Sequence, residues 1–365
     1  MPVTRRFAYL DQAAVSPLPE PARAAVAAWA EEAAYDGNLR WPSWAQKAEE
    51  LRGLLAAMIV ASPDEVALAR NTTEGISLVA EGFPWKAGDN VVTLADEFPS
   101  NQYPWLNLAY RGVETRRVPS EDGTVDLNRV AAACDERTRI IAASWVEFAS
   151  GWRNDLEALA ELAHSRGALL SVDAIQALGV VPLDVRRTPI DFLAADGHKW
   201  LLGPEGAGVF FVRREHLDRL RPFGVGWHSV VHEHDFTRIE LNLKANAARY
   251  EGGSQNMAGA IALKASLELL ARFGSAAVCR RIFEITDLAC QRLERLGARI
   301  LSDRRPEHKS GIVVFDLPGQ DPKALRQKCL QHGVVLSCRG GGLRISPHAY
   351  NDASDIDRLV EALSG

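Results

Sequence analysis

Between residues 66 and 212 short apolar runs alternate with stretches of helical periodicity, and this alternation constrains the fold more than any other feature of the chain. The runs fall at 66–68, 91–94, 140–146, 168–172, 192–195 and 209–212 and read as buried strands. Helical segments such as 155–165 lie between several of them. Strand, helix and strand repeated in this way predict a mainly parallel sheet covered on both faces, an α/β architecture.

The flanks read differently. Upstream, 6–11 suggests a short strand, and 20–35 and 44–59 have helical spacing that stops at Ser62-Pro63-Asp64. Downstream, 224–256 is rich in Gly, His, Asn and Arg and breaks the rhythm. Helices are expected over 258–272, 276–296 and 322–332, with strands at 311–315 and 343–346. A chain of 365 residues exceeds the usual single domain. The pattern predicts a large domain over 16–256, a smaller α+β domain over 257–365, and residues 1–15 as an N-terminal segment packed near the smaller one.

The net charge of −5 is spread along the chain and gives no general attraction to nucleic acid or to an anionic membrane. No apolar run approaches the ~20 residues that span a bilayer, and the N-terminus lacks the apolar stretch of a secretory signal. The five cysteines are odd in number and include no CxxC pair, which predicts reduced thiols. Together these features predict a cytoplasmic protein. His228, His232, Glu233 and His234 crowd together without a zinc-type spacing, so no metal is expected.

Ligands of open α/β sheets bind beyond the carboxyl ends of the strands. Those ends read Asn71-Thr72-Thr73-Glu74-Gly75, Asp96-Glu97-Phe98-Pro99, Asp173 and Asp196-Gly197-His198-Lys199. Only eight of the forty-two basic residues are lysines, so a lysine at a strand end carries more meaning than an arginine there. An amine condenses with an aldehyde, whereas a guanidinium is a poor replacement; a solvated surface lysine is the plainer alternative. Asp173 could face a protonated ring nitrogen or cap the next helix. Thr72 and Thr73 open a helix over 74–81, where free N–H groups suit a phosphate or where the side chains simply cap.

Taken together, these segments resemble the class V aminotransferase family of fold-type I pyridoxal-phosphate enzymes, which includes cysteine desulfurases, selenocysteine lyases and isopenicillin N epimerase-like proteins. The matching stretches are Tyr9-Leu10-Asp11-Gln12-Ala13-Ala14, Arg70 to Gly75, Ser171-Val172-Asp173-Ala174-Ile175-Gln176, Gly197-His198-Lys199, Tyr250-Glu251-Gly252-Gly253-Ser254 and Arg344. The resemblance implies pyridoxal 5'-phosphate as cofactor and a seven-stranded, mainly parallel sheet. It makes Lys199 the Schiff-base lysine and catalytic base, and Asp173 the partner of the pyridine nitrogen. Gln176 would bond the ring's phenolic oxygen, Phe98 would stack on the ring, and Thr72, Thr73 and His198 would hold the phosphate. Ser254 resembles a phosphate contact given by a second subunit, which implies a homodimer with shared active sites. Arg344 resembles the clamp for the carboxylate of a small amino-acid substrate.

Three departures stand out. Cys338 sits too early before Arg344 to match the desulfurase nucleophile, Asp196 replaces a serine that contacts the phosphate, and Glu147-Phe148 replaces Ser-Asn or Asn-Tyr. The residues leave the reaction open between transamination, β-elimination of the C–S lyase type, desulfuration and epimerisation. A non-catalytic binding or sensing protein on the same fold is the alternative of another class, and the complete set of Lys199, Asp173 and Arg344 argues against it.

Overall fold

The computed structural model describes residues 1–121 and 123–364. A two-residue strand β1 (Ala8–Tyr9) precedes helices α1 (Glu20–Tyr35) and α2 (Trp41–Ile59). The alternating region then runs β2 (Val66–Ala69), α3 (Thr72–Gly82), β3 (Asn90–Leu94), α4 (Tyr103–Asn107), β4 (Glu114–Val118), α5 (Leu127–Ala133), β5 (Thr138–Ser144), α6 (Leu156–Ser165), β6 (Leu169–Asp173), β7 (Phe192–Asp196) and β8 (Gly208–Val212). These seven strands form one sheet in the order β2-β8-β7-β6-β5-β3-β4. Only β8 runs against its neighbours; the pairs from β7 across to β4 are parallel. The mainly parallel seven-stranded α/β fold expected from the sequence is what the chain adopts.

Alternate residues of the central strands feed two separate cores, as the two-residue period of a strand requires. Ile141, Ala143, Leu170 and Val172 pack on one face with α2, α6 and helix α7 (Met257–Phe273). Ile140, Ala142, Phe192 and Ala194 pack on the other against Ile76, Val79 and Ala80 of α3. Burial on both faces is why these strands read as unbroken apolar runs. By contrast, β4 gives no apolar signal in the sequence: it is Glu-Thr-Arg-Arg-Val, a partly exposed strand whose one pairing among the described residues is with β3. A sheet edge tolerates charge, and charge also discourages pairing with other chains.

The remainder is α8 (Ser275–Arg295), β9 (Arg299–Ile300), β10 (Val313–Asp316), α9 (Pro322–Gln331), β11 (Val334–Val335), β12 (Ser337–Arg339), β13 (Gly342–Ile345) and α10 (Ala353–Ser364). Strands β12-β13-β10-β9 form an antiparallel sheet over a third core, and that core also takes in Ala8 and Leu10. β1 pairs in parallel with β11, so the chain's first strand is held by its last hundred residues. Among the described residues no helix is long and apolar enough to cross a membrane.

Candidate active site

A cavity of about 300 Å³ opens at the carboxyl edge of the large sheet, lined by Asn71, Thr72, Thr73, Phe98, Ser100, Phe148, Asp173, Gln176, Asp196, His198, Lys199, Arg339 and Arg344 among others. Parallel strands place their carboxyl ends on one edge, so the ends of β2, β3, β6 and β7 deliver residues far apart in sequence to one place. Eight of the nine residues singled out from sequence, all but Ser254, line this cavity.

Lys199 follows β7 on a tight loop in which Leu202 takes a left-handed backbone, φ 59°. A branched residue rarely adopts that conformation. Here the Leu202 N–H bonds the Lys199 carbonyl at 3.2 Å and Ser266 Oγ donates to the Leu202 carbonyl at 2.8 Å. The loop turns Lys199 inward, 8 % exposed, with Nζ 5.7 Å from the centroid of the Phe98 ring. Burial pulls its amine down to about 8, against the opposing pull of Asp173. Asp173, the last residue of β6, is 3 % exposed and accepts the Ile175 N–H at 3.0 Å. Burial pushes its carboxyl up to about 6, while that N–H and the Lys199 charge act the other way. A buried cation and a buried anion each lower the cost of keeping the other charged.

Gln176 is fixed from two sides. Its Oε1 accepts the Trp200 indole N–H at 3.1 Å and its Nε2 donates to the Ala13 carbonyl at 3.0 Å. Phe98 meets Phe148 edge-on with ring centroids 5.2 Å apart, which makes an aromatic wall. Arg344, on β13 and 2 % exposed, donates to the Phe148 carbonyl at 2.8 Å, to Ser337 Oγ at 3.2 Å and to Asp11 Oδ1 at 3.4 Å. Burial pulls its guanidinium below the usual arginine range, and Asp11 opposes this.

The start of α3 supplies an anion cup. The Thr72 and Thr73 N–H groups belong to the first turn, where no intrahelical acceptor exists, and the helix dipole favours negative charge there. Thr72 Oγ1 accepts the Asp196 N–H at 3.0 Å, which keeps its own hydroxyl proton for a ligand. Thr73 Oγ1 donates to Ser100 Oγ at 2.8 Å. Gly75 lets α3 lie this close to the sheet: a Cβ there would sit 2.6 Å from the Cβ of Ala194 on β7.

The structure brings in Ser100 and Arg339, neither of which the motifs singled out. Ser100 lies two residues past Phe98, within reach of that signal; Arg339 follows Cys338 on a strand too short to read. Ser254 lies elsewhere, in a separate cleft of about 560 Å³ with Arg70, Glu74 and Glu251. Cys338 does not line the cavity: its thiol faces the Pro322 carbonyl at 3.3 Å, and burial raises it above the usual thiol range. Glu147 is buried, and Asn154 Nδ2 donates to its Oε1 at 3.0 Å.

These residues fit pyridoxal phosphate. An amine for its aldehyde, a buried carboxylate for its ring nitrogen, an amide for its phenolic oxygen, an aromatic wall and a helix start for its phosphate all line one cavity. The donor set fits except at Asp196, whose Oδ1 is a buried acceptor with no partner among the described residues.

The aminotransferase class-V family model matches residues 8–359. The chain is 32 % identical over its whole length to a probable cysteine desulfurase of Methanothermobacter thermautotrophicus, covering 95 % of that protein. It is 32 % identical over 86 % of its length to the isopenicillin N epimerase of Streptomyces clavuligerus, covering 83 % of it. The apo cysteine desulfurase of Thermococcus onnurineus NA1 superimposes on the whole chain and 95 % of its own length with a TM-score of 0.88 at 26 % identity. With the family pattern running from the first strand to the last helix, the chain belongs to the class V aminotransferase family.

Proposed function

We propose that this pyridoxal-phosphate-dependent enzyme acts on a small amino acid, by β-elimination of the C–S lyase type or by transamination, with Lys199 as the residue that carries the cofactor and moves the Cα proton. The observation that carries the reading is the shared cavity of Lys199, Asp173 and Arg344. The bound cofactor supplies an electron sink conjugated to the substrate's Cα. Arg344 would grip the substrate carboxylate, since its fork suits two parallel hydrogen bonds. Asp173 would keep its charge against the ring nitrogen. Lys199, its amine pulled down to about 8, has a larger neutral fraction near neutral pH than an ordinary lysine, and in that form it can take a proton from Cα. Phe98 and Phe148 would keep water off that carbon.

The two named relatives act, by their names, on cysteine and on isopenicillin N, which supports an amino-acid-derived substrate. A desulfurase route through an enzyme cysteine has less support, because among the described residues no cysteine lines the cavity. Elimination directly from the substrate needs none.

We further propose a homodimer in which a second copy brings its own Ser254 to the phosphate cup. Phe223, Val225, Val231, Phe236, Ile239 and Leu241 all stand exposed on the segment that leads to Ser254, an apolar stretch suited to burial against a copy of itself. All five cysteines are free thiols, which fits a cytoplasmic location. Ala8 and Leu10 share the third core with the C-terminal part from α8 onward, which supports a small domain built from these two segments, whereas α7 packs in the core of the large sheet.

The test is direct. The purified protein should be yellow, and borohydride should fix the colour on the peptide containing Lys199 but not on that of a Lys199→Ala variant. A panel of amino acids offered to the holoenzyme, scored for keto acid, sulfide, ammonia and product chirality, then separates the reactions. A protein that takes up no pyridoxal phosphate would end the proposal.

A further inference from the structure

The phosphate cup holds a carboxylate. Asp196 closes β7, lines the cavity beside Thr72, Thr73 and His198, and is 5 % exposed. Its backbone N–H is tied to Thr72 Oγ1, which fixes the residue at the start of α3. Its Oδ2 lies 2.9 Å from Nδ1 of His198. Its Oδ1 is buried and receives no hydrogen bond among the described residues. A buried acceptor left in that state is costly, and a ligand proton is the natural way to satisfy it.

Among the described residues the nearest charged-type donor is His198 Nδ1, which itself has no hydrogen-bond partner and lies beside Oδ2, leaving Oδ1 without a donor. His198 and Lys199 share its turn, and Asp173 ends the adjacent β6. On β8 the opposite residue is Gly208, without a side chain. On the α3 side Arg70 is paired with Glu74 at 2.6 Å and points to solvent. Across the cavity lie Arg339 and Arg344, the latter engaged by Asp11, Ser337 and the Phe148 carbonyl.

A phosphate monoester loses its second proton near pH ~6. As a dianion it offers no proton, and it would meet Asp196 as a like charge in a site of low dielectric. As a monoanion it carries one O–H that can donate. Resting on the reading that this cavity holds a phosphate-bearing cofactor, we propose that Asp196 selects the singly protonated phosphate. One proton, taken from solvent, sits between Asp196 Oδ1 and a phosphate oxygen. Binding above pH ~6 is then coupled to the uptake of one proton, and each further pH unit weakens it about tenfold through this site.

The experiment uses pyridoxine 5'-phosphate, which has the same phosphate but no aldehyde, so Lys199 cannot react with it. Calorimetric titrations at pH 8, in buffers of different ionisation enthalpy, count the protons taken up. The intact protein should take up about one proton more than Asp196→Ser or Asp196→Asn, and should lose about tenfold more affinity between pH 7 and 8 than either. The phosphorus resonance of the complex with the intact protein should stay at the monoanion position at pH 8, a readout that needs no variant to fold. Equal proton uptake in the intact protein and the variants, or a dianion resonance, would overturn the proposal. Failure of the intact protein to bind the probe at all would overturn the cofactor reading beneath it, a result distinct from binding without proton uptake.

Discussion

Trp200 donates its indole N–H to Oε1 of Gln176 at 3.1 Å, and this one bond decides how the Gln176 amide is presented to the cavity. With Oε1 taken and one Nε2 proton given to the Ala13 carbonyl, the remaining N–H is what the amide can offer a ligand. Trp200 itself is fully buried. Trp200→Phe keeps an aromatic ring but removes the donor and frees the amide to turn. Cofactor affinity should fall by roughly two- to tenfold, the worth of one neutral hydrogen bond. The midpoint of the cofactor's absorbance titration should move as well. An unmoved titration in a variant that folds would show that Trp200 contributes packing alone.

Arg344 makes its three protein contacts with a planar fork held by Asp11, Ser337 and the Phe148 carbonyl. Arg344→Lys keeps the charge and loses the fork, so it should raise KM for the amino-acid substrate at least about tenfold, in line with loss of one charge-assisted hydrogen bond. kcat should change far less. Arg344→Ala should be worse and should also lower Tm, because Asp11 is left buried without its cation. An unchanged KM in the lysine variant would remove Arg344 from substrate binding.

Glu97, Glu147 and Asp173 are buried near one another. Burial pushes Glu97 up to about 8, with the charge of Asp173 adding to the rise, and pushes Glu147 well above the ordinary glutamate range, with the charges of Glu97 and Asp173 adding to it. A carboxyl whose folded value exceeds its unfolded value binds more protons in the folded state, so ionising it costs stability as pH rises. The penalty is absent below the unfolded value of ~4.3 and grows through neutral pH. Glu147→Gln removes it at one site, so the variant's Tm advantage over the parent apo-protein should widen between pH 5 and pH 8. A difference constant across that range would mean that Glu147 is no more protonated in the folded protein than in the unfolded chain.

Cys338 lies on β12 with its thiol against the Pro322 carbonyl, outside the cavity. Cys338→Ala should therefore leave turnover of the best substrate about unchanged. Loss of sulfide release in that variant would reinstate a persulfide route and contradict the geometry.

Much of this molecule is legible from its residues alone. The apolar runs that became β5, β6, β7 and β8 announce themselves because each is buried on both faces, and burial selects composition directly. The strand ends name Lys199, Asp173, Thr72 and Phe98 because a parallel sheet gathers its carboxyl ends on one edge whatever the details of the loops. Strand β4 stayed silent, since an edge strand with a wet face needs no apolar signature, and β11 and β12 are too short to show a period. What sequence could not decide depends on distances between distant segments. The spare oxygen of Asp196, the orientation of Gln176 set by Trp200, the turning of Cys338 away from the cavity and the place of Ser254 outside it all arise from how loops pack. Packing is specified by the sum of many contacts, and no single spacing along the chain records it.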